Sequence, residues 1–215
     1  GACAPFLYNL RMAVQDIQSG RAKVAVVGAS EAPIIPEVME GYRAMSALAE
    51  DEGLRKLDGI EGDVDYRRAC RPFADNCGFT IGEAANFVML MDDELALEMG
   101  ATIHGAVTDV FVNADGHKKS ISSPGVGNYL TVARATAAAR AIVGEKAMRH
   151  RSFVQAHGTS TPQNRTTESH ILNEVAKAFG IEKWPVAAIK AYIGHTVASA
   201  SADQLISSLG VWSEG

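Results

Sequence analysis

The chain has little of what would mark a secreted, membrane or nucleic-acid-binding protein. Its 215 residues include three cysteines, Cys3, Cys70 and Cys77, with no CxxC pair and no regular spacing. That argues against a disulfide framework and against a structural zinc site. No secretory signal pattern is legible, and an odd cysteine count without one points to free thiols in a reducing, cytoplasmic compartment. No apolar run approaches the roughly 18–20 residues of a membrane span. Lysine and arginine form no sustained cluster and the net charge is −5, so a bulk nucleic-acid role is disfavoured. Neither a Rossmann nor a P-loop glycine spacing occurs. What remains is an ordinary globular composition, 47% apolar and 21% charged, enough for a sizeable core. The start at Gly1, with Cys3 close behind, and the stop after Trp212 predict a fragment of a longer protein.

Hydrophobic periodicity predicts helices over residues 2–20, 37–54, 92–99, 129–143, 166–179 and about 196–210. In the first, Pro5 suits an opening turn, and Leu7, Leu10, Val14 and Ile17 recur at helical spacing. β-rich runs at 23–27, 79–91, 103–112, 153–156 and 186–189 predict strands, the second of them broken at Gly82-Glu83. Residues 58–76 and 113–128 read as irregular. Alternation of strands and helices predicts α/β layering, with no independent domains to separate.

Two stretches of like form carry the chemistry. In SFVQAHGTST a short apolar run ends at His157, a glycine turns the chain, and Thr159, Ser160 and Thr161 follow. In AIKAYIGHT an apolar run leads to Lys190 and then Gly194-His195. Strand ends beside glycine turns are where α/β proteins place reactive groups. Neutral imidazoles there can donate N–H bonds to a carbonyl or enolate oxygen. Lys190, on an otherwise apolar strand end, needs a partner if buried, and Glu168 is one carboxylate that could supply it. Cys3 immediately precedes a helix whose amino end would favour a nucleophilic thiolate. Taken alone, a single cysteine reads first as a small buried hydrophobe. His104 and His150 read as structural or surface residues, and His117 and His170 receive no role.

Taken in order, Gly1-Ala2-Cys3-Ala4, Arg71-Pro72-Phe73, Gly78-Phe79 with Gly82-Glu83, His157-Gly158-Thr159-Ser160-Thr161 and Lys190-Ala191-Tyr192-Ile193-Gly194-His195-Thr196 make a specific series. In it the chain resembles the β-ketoacyl-acyl-carrier-protein synthases, the condensing enzymes of fatty-acid and polyketide synthesis. The continuation TPQNRTTESH is most similar to a bacterial branch that acts at initiation. Three departures from the family pattern stand out. Pro5 replaces a small polar residue, Asn76-Cys77-Gly78 stands where Arg-Asp-Gly is usual, and Ala84-Ala85-Asn86 replaces a Gly-Ala-Gly run.

The resemblance implies a thiolase-like layered α/β/α/β/α fold, incomplete at both ends. Residues 1–95 would complete its nucleophile-bearing half and residues from about 101 to 215 its histidine-bearing half. It implies decarboxylative Claisen condensation of an acyl thioester with malonyl-acyl-carrier protein. Cys3 would carry the acyl group, and His157 and His195 would hold the enolate oxygen. Lys190, paired with Glu168, would set the field, and Thr159 and Thr161 would contact phosphopantetheine. Acyl carrier protein and acyl-CoA or malonyl thioesters would be partners, in a homodimer with no metal and no tightly bound cofactor. Two other readings stay open on the same fold, a non-catalytic chain-length subunit and a degradative thiolase.

Overall fold

The computed structural model describes residues 3–116 and 125–214. His117, and Gly1 and Ala2 of the cysteine motif, lie outside the described residues. Helix α1 (Pro5–Gln18) opens on a proline in its first turn, where a missing N–H leaves no helical bond unmade. Its buried residues Phe6, Leu10, Ala13 and Val14 fall on one face. Strands β1 (Val24–Glu31) and β2 (Ala84–Met91) form an antiparallel ladder of eight pairs, from Val24↔Met91 to Glu31↔Ala84. Alternation along β1 and β2 sends Val27, Val88 and Leu90 toward α1, while Val26, Phe87 and Met89 face outward and exposed. Helix α9 (Ala200–Glu214) packs beside α1, and Ala202 lies wholly buried in the core with Phe6, Leu10, Val14, Val27 and Val110.

The second half of the chain is a strand–helix–strand unit. Short strands β3 (Val154–Gln155) and β4 (Val186–Ala187) pair in parallel. The 18-residue helix α7 (Pro162–Phe179) makes the crossover between them, as parallel pairing requires. α7 buries Ile171, Leu172 and Val175 and ends on Gly180 in the left-handed conformation, as a glycine stop does. α9 touches both β2 and β3, so it lies between the two sheets. The carboxyl ends of β3 and β4 lead straight to His157 and to Lys190. No described helix is long and apolar enough to cross a membrane.

Helices α4 (Asp93–Glu98) and α5 (Val126–Val143) lie close to their expected bounds. Several other expectations change. The helix expected over 37–54 is two, α2 (Pro36–Ala44) and α3 (Asp51–Asp58). Between them Ser46 adopts φ 51, and the backbone of Ala47 and Ala49 bonds Phe79. Bridging to Phe79 thus overrides helical propensity at 45–49. β2 starts at Ala84 rather than at 79, residues 79–81 making only isolated bridges. β1 runs on through Gly28 to Glu31, past the expected end at 27. The β-branched run 103–112 forms no ladder among the described residues. Val107, Val110 and Val112 instead pack onto the core, because propensity alone supplies no hydrogen-bonding partner. α7 starts at Pro162, four residues ahead of the expected start, since proline is favoured at a first helical position. Helices α6 (Glu145–His150) and α8 (Lys190–Ile193) are additional. Lys190 therefore opens a helix and does not end a strand.

Phe6 is fully enclosed at the α1–α9 contact. Phe6→Ala is expected to cost about 3–5 kcal/mol of stability, read from denaturant unfolding. A loss below about 1 kcal/mol would show that the core closes elsewhere.

Candidate active site

Cys3 sits in the turn before α1, and Ser201 in the first turn of α9 donates to its carbonyl oxygen at 3.5 Å. Its Sγ lies 3.1 Å from His195 Nε2. His195 is held from both sides of the chain. Its N–H donates to Thr80 carbonyl oxygen at 2.7 Å and its own carbonyl accepts from the Gly82 N–H at 3.0 Å. These bonds make the parallel bridge Ile81↔His195, which fastens the histidine to the segment running into β2. Phe79 packs edge-on against its ring, centroids 5.2 Å apart.

The proton on each imidazole is fixed by its second nitrogen. The Val197 N–H donates to His195 Nδ1 at 3.1 Å. Nδ1 is thereby an acceptor, so the neutral ring carries its proton on Nε2, facing Cys3. Lys190 Nζ lies 3.5 Å from His157 Nδ1 and donates to the His157 carbonyl at 2.5 Å. An ammonium has no acceptor capacity, so His157 too presents Nε2–H. The two rings meet edge-to-face, centroids 5.5 Å apart. One ligand-type atom from each of Cys3, His157 and His195 lies within 4.8 Å of the others.

Such a triangle has the spacing of a metal site, but its hydrogen bonds oppose one. Metal-bound histidine donates its other ring N–H to an acceptor. Here both Nδ1 atoms face donors, Val197 N–H and the Lys190 ammonium. The set is built to point two N–H groups at a common space.

Electrostatics correct one expectation. Burial pushes the Cys3 thiol above its ordinary range, Glu31 adds to this, and the positive charge of Lys190 opposes it. The net direction is upward, so burial favours the thiol over the thiolate expected from the helix amino end. Burial drives His195 down from 6.5 to about 3, with Lys190 acting in the same direction. His157 is held well below 6.5 by burial, Lys190 and His195. Lys190, 1% exposed, is lowered by burial and raised in part by Glu168.

The expected Lys190–Glu168 ion pair is a second correction. Glu168 lies within electrostatic reach of Lys190, but its carboxylate accepts the N–H groups of His157 at 2.6 Å and Gly158 at 2.8 Å. Asn164 Nδ2 adds a bond to the same carboxylate at 2.9 Å. Glu168 thus grips the backbone of the histidine turn. The Thr159 and Thr161 hydroxyls are 3.0 Å apart at its far side. Ser160, fully buried at φ 67, accepts the Arg71 N–H at 2.7 Å. Arg71 in turn pairs with Asp58 at 2.7 Å.

The structure brings Cys3, His157, His195, Lys190 and Glu168 together, with Thr159 and Thr161 on the same turn. His104, His150 and His170 are exposed, and Cys70 is a buried free thiol. Two features of the site had no sequence signal, the Val197 N–H and the Glu31 carboxylate. A backbone group aimed by local dihedrals leaves no trace in residue identity.

The profile of the Beta-ketoacyl synthase N-terminal domain matches residues 1–96, and that of its C-terminal domain matches residues 104–214. The Beta-ketoacyl-[acyl-carrier-protein] synthase FabY of Pseudomonas aeruginosa is 65% identical over 215 residues, covering all of this chain and 34% of that protein. The solved structure of the P. aeruginosa ketosynthase FabY superposes with a TM-score of 0.97 at 65% identity, again over 100% of this chain and 34% of that one. A type II polyketide ketosynthase, AntDE, solved with the acyl carrier protein AntF, matches with a TM-score of 0.71 at 26% identity over 98% of this chain and 47% of that one. The chain therefore spans about a third of the length of FabY.

The buried, neutral His195 sets a pH dependence. Folded His195 stays unprotonated down to about 3, whereas in the unfolded chain it takes up a proton near 6.5. Between those values the unfolded state binds more protons, so stability falls as pH drops through that window. His195→Asn should flatten this decline, read as denaturation midpoints of parent and variant at about pH 7.5 and about pH 4.5. Equal declines in the two proteins would place His195 in water.

Proposed function

Because this chain belongs to the beta-ketoacyl synthase family, we propose that the protein containing it performs decarboxylative Claisen condensation in fatty-acid synthesis. An acyl thioester and malonyl-acyl-carrier protein would give 3-ketoacyl-acyl-carrier protein, carbon dioxide and a free carrier thiol. One observation carries this reading: two Nε2–H donors and a cysteine sulfur share one site. The two profile matches support a division near residues 95–101 into a nucleophile-bearing and a histidine-bearing half.

In the first step the Cys3 sulfur attacks the acyl thioester carbonyl and the carrier leaves as its thiol. Burial raises the cost of ionising Cys3, so its thiolate forms within the field of Lys190 and beside the His195 N–H, both of which favour it. In the second step the malonyl thioester places its carbonyl oxygen against His157 and His195. Loss of carbon dioxide leaves an electron pair that becomes an enolate, and two fixed N–H groups stabilise its oxygen. The enolate carbon then attacks the acyl-Cys3 carbonyl. A carbon–carbon bond forms, the sulfur leaves, and the 3-ketoacyl product departs on its carrier. No strong base is called for, which suits imidazoles kept neutral by burial. Lys190 holds the His157 carbonyl and Nδ1, and Glu168 fixes the turn, so both act on ring orientation.

Thr159 and Thr161 are assigned to the phosphopantetheine arm of acyl carrier protein, with acyl-CoA as an alternative donor for the first step. A homodimer and a cytoplasmic location belong to the same reading, the latter suited to three free thiols. The donor pattern at both Nδ1 atoms supports a site without resident metal or cofactor.

In the full-length protein Cys3→Ala should abolish the acyl-enzyme adduct seen by intact-protein mass spectrometry. His195→Ala should keep some acylation but lose decarboxylation by about 100-fold or more. Condensation unchanged in the Cys3 variant would sink the proposal. Equal survival of both steps in the His195 variant would remove the role given to that ring.

A further inference from the structure

Next to His195 in the chain, two polar side chains, those of Thr196 and Asn86, meet at the Asp203 carboxylate. The Thr196 hydroxyl donates to Asp203 Oδ2 at 2.5 Å. The Asn86 amide donates to Asp203 Oδ1 at 2.6 Å and to Ser199 Oγ at 2.8 Å. The Ser199 hydroxyl passes its hydrogen to the Ala29 carbonyl at 3.0 Å, and Glu31 accepts the Ala198 N–H at 2.5 Å. Thr196 and Ser199 are essentially unexposed, so bonds lost here find no water in exchange. Asn86 is one of the departures seen in the sequence, standing where the related pattern has glycine.

Residues 196, 198 and 199 are thus each tied down, and the residue between them is strained. Val197 has φ 50, a left-handed conformation that a β-branched side chain strongly disfavours. Strain of this kind persists only where the surroundings over-determine it. Its product is specific: the Val197 N–H points at His195 Nδ1.

We infer that Asn86, Asp203 and Thr196 form a clamp that holds Val197 in its left-handed turn and thereby keeps the His195 proton on Nε2. None of the three touches the reacting atoms, so they are positioning residues. The inference rests on the reading of His195 as an enolate donor. Without the clamp, Val197 relaxes toward negative φ and its N–H leaves Nδ1. The ring can then carry its proton on Nδ1 and turn a lone pair toward the developing oxyanion, which repels it. Decarboxylation suffers most, while attack of the Cys3 sulfur on an acyl thioester loses one donor but keeps the field of Lys190.

The test uses the full-length protein, with malonyl-thioester decarboxylation and Cys3 acylation measured separately. Thr196→Val keeps shape and loses the hydroxyl, and Thr196→Ser keeps the hydroxyl. Thr196→Val should lower kcat for decarboxylation about tenfold, with KM within about twofold of the parent and acylation falling by clearly less than decarboxylation. Thr196→Ser should recover most of kcat. Adding Asn86→Ala to Thr196→Val should cost less than the two separate losses combined, because both act through Asp203. Parental decarboxylation in Thr196→Val, or acylation falling in parallel with it, would overturn the clamp. Should Thr196→Val fail to fold by circular dichroism, Asn86→Ala alone decides on the same two rates. A parent that acylates but never decarboxylates malonyl thioester would overturn the functional reading, and the clamp with it. A parent that decarboxylates beside insensitive variants would overturn the clamp alone.

Discussion

Read as a condensing site, the cluster depends on keeping two imidazoles neutral, with their protons on Nε2, beside a sulfur that would become negative. Each condition has a separate physical source. Burial removes the charged form of the rings, and donors at the Nδ1 atoms choose the tautomer. Either one alone would be insufficient. A buried ring with a free Nδ1 could hold its proton on the wrong side, and an exposed ring with the right partner would protonate in mild acid. The same burial raises the Cys3 thiol, so the setting proposed to make good oxyanion donors makes a reluctant nucleophile. Lys190 is where this conflict is moderated. Its charge lowers the cysteine and depresses both histidines, serving both needs from one position.

The fold supplies these groups from points far apart in the chain. Cys3 arrives at the head of the central helix. His157 and Lys190 follow a few residues beyond the carboxyl ends of two parallel strands, where backbone groups and short turns are free to be aimed. His195 hangs from an isolated bridge to Ile81, which joins the histidine-bearing half to the segment leading into β2. That bridge is short, only two backbone bonds, yet it orients a ring whose displacement by an ångström would uncouple it from the sulfur.

Much of this was legible in the residues and some was not. His157 and His195 stood out because each follows an apolar run and lies beside a glycine, a local pattern that survives in sequence. Cys3 was legible through Pro5, which announced the helix behind it. The identity of Glu168 was readable but its partner was not. A lysine and a glutamate invite an ion pair on charge alone, whereas the geometry gives the carboxylate two backbone N–H groups. Ile103 and its neighbours read as a strand because propensity is a property of residues and pairing is not. The break at 45–49 was hidden for the same reason, since what stops the helix is the backbone of Phe79.

Val197 marks the limit of what residue types can say. Valine is among the last residues one would choose for a left-handed turn, so its identity argues against the conformation it holds. Only the bonds around it make that conformation the stable one, and those bonds come from Asn86 on a strand and Asp203 on a helix. A glycine there would reach the same dihedrals without strain, but it would also leave them without strain. A valine held by its neighbours is a turn with one accessible state. For a ring proposed to act through the nitrogen that bears its proton, a single state is what the chemistry requires.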